Sequence, residues 1–222
     1  MIIYKNLVIL GTSHISIESV KEVRAYLSKN EPTLIALELD KNRYHALLDN
    51  SKKASSFQVL KELGLLPFIL NMIGHKIEKE LGKIVGVVPG SEMVEAIKIS
   101  KEKNIPIALI DQDIRITLKK LSKTVTFKEK TRFILDILTS FFPSKNKIRI
   151  DLSKVPEKDL LSSLITKVKD RYPSFYKVLV EDRNKILAKN LYNIASNSKE
   201  VFVVVGAGHL EGLLEELKKM RY

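Results

Sequence analysis

The chain has 222 residues, 45% of them apolar, with 38 Lys and Arg against 26 Asp and Glu for a formal net charge of +12; this length suits one domain with a sizeable core. With no cysteine there is no disulfide, no thiolate nucleophile and no Cys-ligated zinc, so any metal must be held by His, Asp or Glu. No apolar run is long enough to cross a bilayer and the opening Met1-Ile2-Ile3-Tyr4-Lys5 lacks signal-peptide grammar, so a cytoplasmic protein without membrane association is expected.

In chain order, a strand is expected at about residues 2–10, and a helix from Ser16 to Lys29 with Ile17, Val20, Val23 and Leu27 on one face. Asn30-Glu31-Pro32 breaks that helix, and the run Thr33 to Leu39 reads as a second buried strand. A further helix starts at Lys41 and runs to Asn50, and helical patterning continues from Phe57 to Glu80. Pro89-Gly90-Ser91 stops the chain and opens another helix, with Ser91 as its N-cap and Met93, Val94, Ile97 and Ile99 on its apolar face. The run Pro106 to Ile110 is the next strand. This alternation implies an α/β fold with a mixed, largely parallel sheet flanked by helices.

From about Ile114 to Asn197 the pattern turns helical. Phe127, Phe133, Ile134, Ile137, Leu138 and Phe141 form an apolar stripe, read as a packing face in preference to a partner or membrane surface. Ile148-Arg149-Ile150 is too short to assign. Helices are expected over Leu160–Tyr172 and Ser174–Asn197, followed by a last strand, Val201 to Val205, and a short amphipathic helix from Glu211 to Met220. The economical account is one domain, residues 1–222, in which 114–197 is a mainly helical insertion before the last strand. The lysines are interleaved with glutamates, as in Lys76-Ile77-Glu78-Lys79-Glu80, which favours a solvated surface over nucleic-acid binding.

Two glycine-to-histidine motifs follow apolar strands: Gly11-Thr12-Ser13-His14 and Gly206-Ala207-Gly208-His209. The glycines are expected to let the backbone turn sharply as each strand ends. Glu38 stands near the end of the second strand, and Asp111 and Asp113 follow the third. Carboxyl ends of parallel strands share one sheet edge, where open α/β sheets bind ligands, so these side chains are expected to converge. Two imidazoles and a carboxylate suffice to hold a divalent metal with positions open for water, the core of metal-assisted hydrolysis. Competing assignments give Glu38 to a pair with Arg43 or a cap, and Asp111 to capping the following helix. His45 and His75 lack strand-end settings and are expected on helix faces. Walker A, G-x-S-x-G and H-E-x-x-H motifs are absent, and Gly206-Ala207-Gly208 departs from the dinucleotide fingerprint.

Together these residues resemble the TraB family, related to PrgY and the Tiki proteins. The likeness lies in Gly11-Thr12-Ser13-His14-Ile15-Ser16, Leu37-Glu38-Leu39-Asp40 with Arg43, Pro89-Gly90-Ser91-Glu92-Met93 with Ala96-Ile97, Leu109 to Ile114 with Thr117, and Val204 to Leu210 with Gly212. It implies a fold like that of erythromycin-esterase and ChaN-type proteins, and Tiki-like metal-dependent proteolysis favouring Mn²⁺ or Co²⁺, with Zn²⁺ as a further candidate. By that likeness His14, Glu38 and His209 carry the metal or its water, and Glu92, Asp113 and Arg43 line the site. Likeness to PrgY suggests peptides as substrates or ligands.

Three departures stand out. Gln112 replaces the family's arginine, Asp182-Arg183-Asn184 replaces a Glu-Arg-Asp element, and the membrane-spanning C-terminal part of many members has no counterpart, which suggests a soluble form. The expectation is therefore a metal-dependent hydrolase, most simply a peptidase. Asp113 or Glu92 would be the general base, and Arg43, Arg115 or Arg183 would steady charge on the carbonyl oxygen. The alternative is a non-catalytic peptide- or signal-binding module on a degenerate hydrolase scaffold. The apolar insertion is compatible with a two-fold homodimer.

Overall fold

The computed structural model describes residues 1–12, 17–48, 90–140 and 166–220, the side chains of 137–140 excepted. Its strands are β1 (Ile2–Tyr4), β2 (Leu7–Thr12), β3 (Leu34–Leu37), β4 (Ile107–Leu109) and β5 (Val201–Gly206). They form one mixed sheet in the order β1-β2-β5-β3-β4, in which only the β1–β2 pair is antiparallel. The single strand expected at residues 2–10 is thus a hairpin. Lys5 turns the chain with φ 53°, and Asn6 Nδ2 anchors the turn by donating to the carbonyls of Ala195 and Ser198 at 2.9 and 2.7 Å.

Helices cover both faces. They are α1 (Ile17–Lys29), α2 (Lys41–Leu48), α3 (Ser91–Lys103), α4 (Ile114–Thr124), α5 (Phe127–Ser140), α6 (Asp182–Ala195) and α7 (Leu210–Lys219). The central strand β5 is buried throughout, and its period-two alternation divides the core. Phe202 and Val204, with Val8, Leu10, Ile35 and Leu37, meet Val23 and Leu27 of α1 and Met93, Ala96 and Ile97 of α3. Val201, Val203 and Val205, with Leu7 and Ile9, meet Leu187, Ala188 and Leu191 of α6 and Leu213 and Leu217 of α7. Both helices bury residues at i, i+4 spacing, the stripe a helix lays on a sheet. Each such side chain stabilises the fold by roughly 1.5–3 kcal/mol when fully buried. Tyr26 adds a stacked contact on Phe202, with centroids 4.3 Å apart.

Several local expectations give way to packing. Ile17 is exposed at the start of α1, and Val94 is exposed on α3. Ser91 does not cap α3: Gly90 precedes the helix with φ 85° and no side-chain cap forms. A Cβ there would meet Leu47 Cδ2 at 3.2 Å. Between β4 and β5 every described element is helical. Residues 166–171 are helical, and the long helix expected from Ser174 runs from Pro173 but carries a π-turn, Lys177–Glu181, before α6. The apolar stripe divides. Phe133 packs on Phe175 and Tyr172, beside a small core of Leu121, Val125, Phe175 and Val178, whereas Phe127 and Ile134 are exposed. Ile137, Leu138, Phe141, the Phe57–Glu80 helix and Ile148–Ile150 lie outside the described side chains or residues. Among the described residues no helix is long and apolar enough to cross a membrane.

Candidate functional site

Parallel strands bring three ends to one edge. Glu38 follows β3, Asp111 follows β4 by two residues, and His209 closes the 3₁₀ turn Ala207–His209 that links β5 to α7. Thr12 ends β2 in register with Gly206, and its hydroxyl donates to the carbonyl of Val205. His14, the expected third metal ligand, lies outside the described residues, as does His75.

Glu38 is 2% exposed and His209 8%. Glu38 Oε2 accepts from the Gly206 amide at 2.7 Å, and Glu38 Oε1 stands 3.4 Å from His209 Nε2. The convergence expected of these two residues is therefore present. Arg183 lies against both. Its Nη2 donates to Glu38 Oε1 at 2.5 Å, and its Nη1 is 3.0 Å from His209 Nε2. The rest of the fork reaches Asp111, with Nη2 to Oδ2 at 2.6 Å and Nε to Oδ1 at 3.3 Å. Burial works to lower the Arg183 pKa, but the charge of Glu38 and the bonds and charge of Asp111 outweigh it and leave it raised.

Asn184, the next residue, completes the arrangement. Its Oδ1 lies 2.7 Å from His209 Nδ1. Arginine has only donors, so Nε2 must accept from it, the ring proton sits on Nδ1, and Asn184 presents its oxygen to that proton. A π-turn immediately upstream shifts the helical register, a feature often found next to functional sites. Asp182 points elsewhere and pairs with Lys120 of α4 at 2.7 Å.

The other expected residues divide. Asp113, not Asp111, caps α4, accepting from the Arg115 amide at 2.8 Å. Both Asp113 oxygens also meet the Arg115 guanidinium, and Asn42 Nδ2 adds a bond at 3.0 Å. The Arg115 hydrogen bond is the main reason the Asp113 pKa is lowered. Arg43 is exposed on α2 and does not pair with Glu38; its amide, with that of Asn42, donates to Asp40 Oδ1. Glu92 is buried in the first turn of α3. His45 is exposed on α2. A cavity of about 340 Å³ opens beside the cluster, lined by Asp40, Lys41, Asn42, Asp111, Asp113 and Arg115. Asp111 belongs to both.

Gly11 and Gly212 serve close approach rather than sharp turning, whereas a Cβ on Gly208 would meet nothing within 4 Å. Gly11 lies inside β2, where a Cβ would meet Leu210 Cδ2 at 3.1 Å and Ala207 Cα at 3.4 Å. A Cβ on Gly212 would stand 2.1 Å from Asn184 Nδ2. Asp111 as the Arg183 anchor and Asn184 as the His209 orienter were not assigned from sequence; the signal available was the Asp-Arg-Asn triplet on a long amphipathic helix.

As a metal site the described part is incomplete. Among the described residues no group of three His, Asp or Glu side chains is arranged to hold an ion. Glu38 and His209 nevertheless fit as two of the donors. Bonds of about 2.1 Å at a tetrahedral angle separate donor atoms by about 3.4 Å, the spacing between Oε1 and Nε2.

The sequence model of the TraB/PrgY/gumN family matches residues 4–222. The chain is 38% identical over 216 residues to an uncharacterized protein, MJ1365, of Methanocaldococcus jannaschii, covering 96% of this chain and 53% of that one. It is 24% identical over 231 residues to the human TraB domain-containing protein, covering 92% of this chain and 61% of the relative, and the mouse protein of that name matches to the same extent. The chain thus spans between about half and three fifths of these relatives' length. With the family pattern running from the first strand to the last helix, the chain belongs to the TraB/PrgY/gumN family.

Proposed function

We propose that the protein is a metal-dependent hydrolase acting on peptides, with its centre at Glu38 and His209. The observation that carries this reading is the paired donor geometry: a buried carboxylate and an imidazole nitrogen 3.4 Å apart, the latter oriented by Asn184. A histidine whose second nitrogen is tied to a neighbouring oxygen acceptor is the usual form of a metal-binding imidazole. His14 is the third ligand in this reading. A divalent ion bound there supplies Lewis-acid polarisation of a carbonyl and a more acidic water.

The chain's own groups supply the rest. The cavity beside Asp111 gives room for an extended ligand, with Lys41 and Arg115 on its wall. Arg183, charged and held by Asp111, is the cation nearest the paired donors among the described residues and takes the role of steadying an anionic oxygen, in place of Arg43 or Arg115. Asp113 is a poor general base, because its lowered pKa and its bonds to Arg115 and Asn42 commit both oxygens. Glu38 or Glu92 would be the group to take a proton from an attacking water. The test is Mn²⁺ and Co²⁺ binding by calorimetry, followed by peptide cleavage, for wild type, His14→Ala, His209→Ala, Glu38→Gln and Glu92→Gln. Stoichiometric binding lost in both histidine variants supports the reading; full binding and activity in either one sinks it.

The second reading, a peptide-binding module without turnover, has one observation in its favour. Gln112, which stands where the family carries arginine, donates to the Thr117 hydroxyl at 2.7 Å and is turned toward α4. That reading expects peptide binding that survives chelation and is indifferent to Glu38→Gln.

A further inference from the structure

We infer that Arg183 is a built-in competitor for the cation position at Glu38 and His209. The inference rests on the metal-dependent reading above and adds a condition to it: the ion enters only as the guanidinium leaves these two atoms.

The geometry makes the two occupants exclusive. The Nε2 lone pair of His209 is the one a metal would take, and Arg183 Nη1 points at it from 3.0 Å. Glu38 Oε1, the other donor, receives Arg183 Nη2 at 2.5 Å. A guanidinium fork spanning donors 3.4 Å apart therefore stands in for the cation, matching its charge as well as its contacts. Asn184 reinforces this by holding the ring proton on Nδ1, which keeps Nε2 an acceptor.

Asp111 supplies the place for Arg183 to go. It already binds Nε and Nη2, so the side chain swings about this anchor and keeps its countercharge when Nη1 and Nη2 give up His209 and Glu38. Asp111 also lines the cavity. The displaced fork remains beside the space where a carbonyl or carboxylate oxygen of a peptide would lie. Loading the ion and arming the arginine are then one event.

The experiment is a Mn²⁺ titration of the metal-free 222-residue chain by calorimetry, with thermal melts with and without Mn²⁺, for wild type, Arg183→Met and Arg183→Lys. Losing charge-assisted hydrogen bonds that compete with the ion corresponds to about ten- to a hundredfold tighter Mn²⁺ binding by Arg183→Met. Its metal-free form melts below wild type, and Mn²⁺ raises its melting temperature by more. Arg183→Lys keeps the charge but not the fork; it folds more readily and also binds more tightly than wild type, so it decides the matter should the methionine variant fail to fold. Equal or weaker Mn²⁺ binding in the folded variants overturns the competition and leaves the metal reading standing. No Mn²⁺ binding by wild type or variants overturns both.

Discussion

Asn184 Oδ1 and His209 Nδ1 lie 2.7 Å apart, joining α6 to the turn after the last strand. Both residues are buried, so this bond determines which face of the imidazole meets Glu38 and Arg183. Asn184→Leu is expected to remove the acceptor, release the tautomer and cost about 1–3 kcal/mol for the unsatisfied ring nitrogen. Asn184→Asp keeps an acceptor and therefore the Nδ1–H form. Nitrogen-15 NMR of the His209 ring reads both outcomes; an unchanged spectrum in the leucine variant would show that something else holds the ring.

Gly212→Ala tests the same bond from outside. The added methyl would stand 2.1 Å from Asn184 Nδ2, a contact that forces the Asn184 amide out of its place or the helices apart. The expected loss is about 1–3 kcal/mol from overpacking, accompanied by the tautomer change of Asn184→Leu. Gly208→Ala is the control, because a Cβ there meets nothing within 4 Å. Urea midpoints and the histidine spectrum of the two variants separate packing from generic glycine loss.

Glu38→Leu breaks a buried ion pair. The Glu38 side chain is 3% exposed and that of Arg183 17%, so the guanidinium would keep Asp111 and His209 but lose one of its two carboxylates, and the Gly206 amide would lose its acceptor. Removing one member of such a pair costs about 3–5 kcal/mol. The double variant Glu38→Leu with Arg183→Met should recover part of that loss. Additive losses in the double-variant cycle would mean the pair is not coupled.

Asp40 carries a different balance. Its Oδ1 accepts from the Asn42 and Arg43 amides at the start of α2, while its Oδ2 is buried with no hydrogen-bond partner among the described residues. Asp40→Ala loses the cap and should cost about 0.5–2 kcal/mol. Asp40→Asn keeps an oxygen for the cap and removes a buried charge, so it should be neutral or stabilising. Thermal denaturation ranks the three proteins, and an asparagine variant as weak as alanine would refute the argument.

Glu129 sets an acid limit on the contact between α5 and the segment at Pro173. Burial works to raise its pKa, but bonds from Ser174 and Thr126 outweigh it and leave it lowered; the Ser174 amide, at 2.8 Å, ties the helical segment beginning at Pro173 to α5. A carboxylate whose folded pKa is depressed contributes stability above its unfolded value, about 4.3, and loses it as pH falls through the folded value. Glu129→Gln should therefore be less stable than wild type at neutral pH, with the gap narrowing below about pH 4. Denaturant midpoints across that range check the sign.

Much of this protein was legible in local pattern. Apolar runs mark β2, β3 and β5, and parallel strands end on one edge, so the sequence leads Glu38 and His209 to be expected together. What local pattern does not carry is the rotation of a helix about its own axis. Arg183 and Glu38 are 145 residues apart in sequence, and their meeting depends on how Leu187, Ala188 and Leu191 seat α6 on β5 after the π-turn at Lys177–Glu181. The same seating made Asp111 rather than Asp113 the buried partner, left Asp113 to cap α4, and required glycine at position 212. Residue types and spacing determined the strands and the edge on which polar groups gather. Only close packing between elements distant in sequence decided which of those groups touch, because side chains a few ångströms long bond in one orientation of the helix and miss in the next.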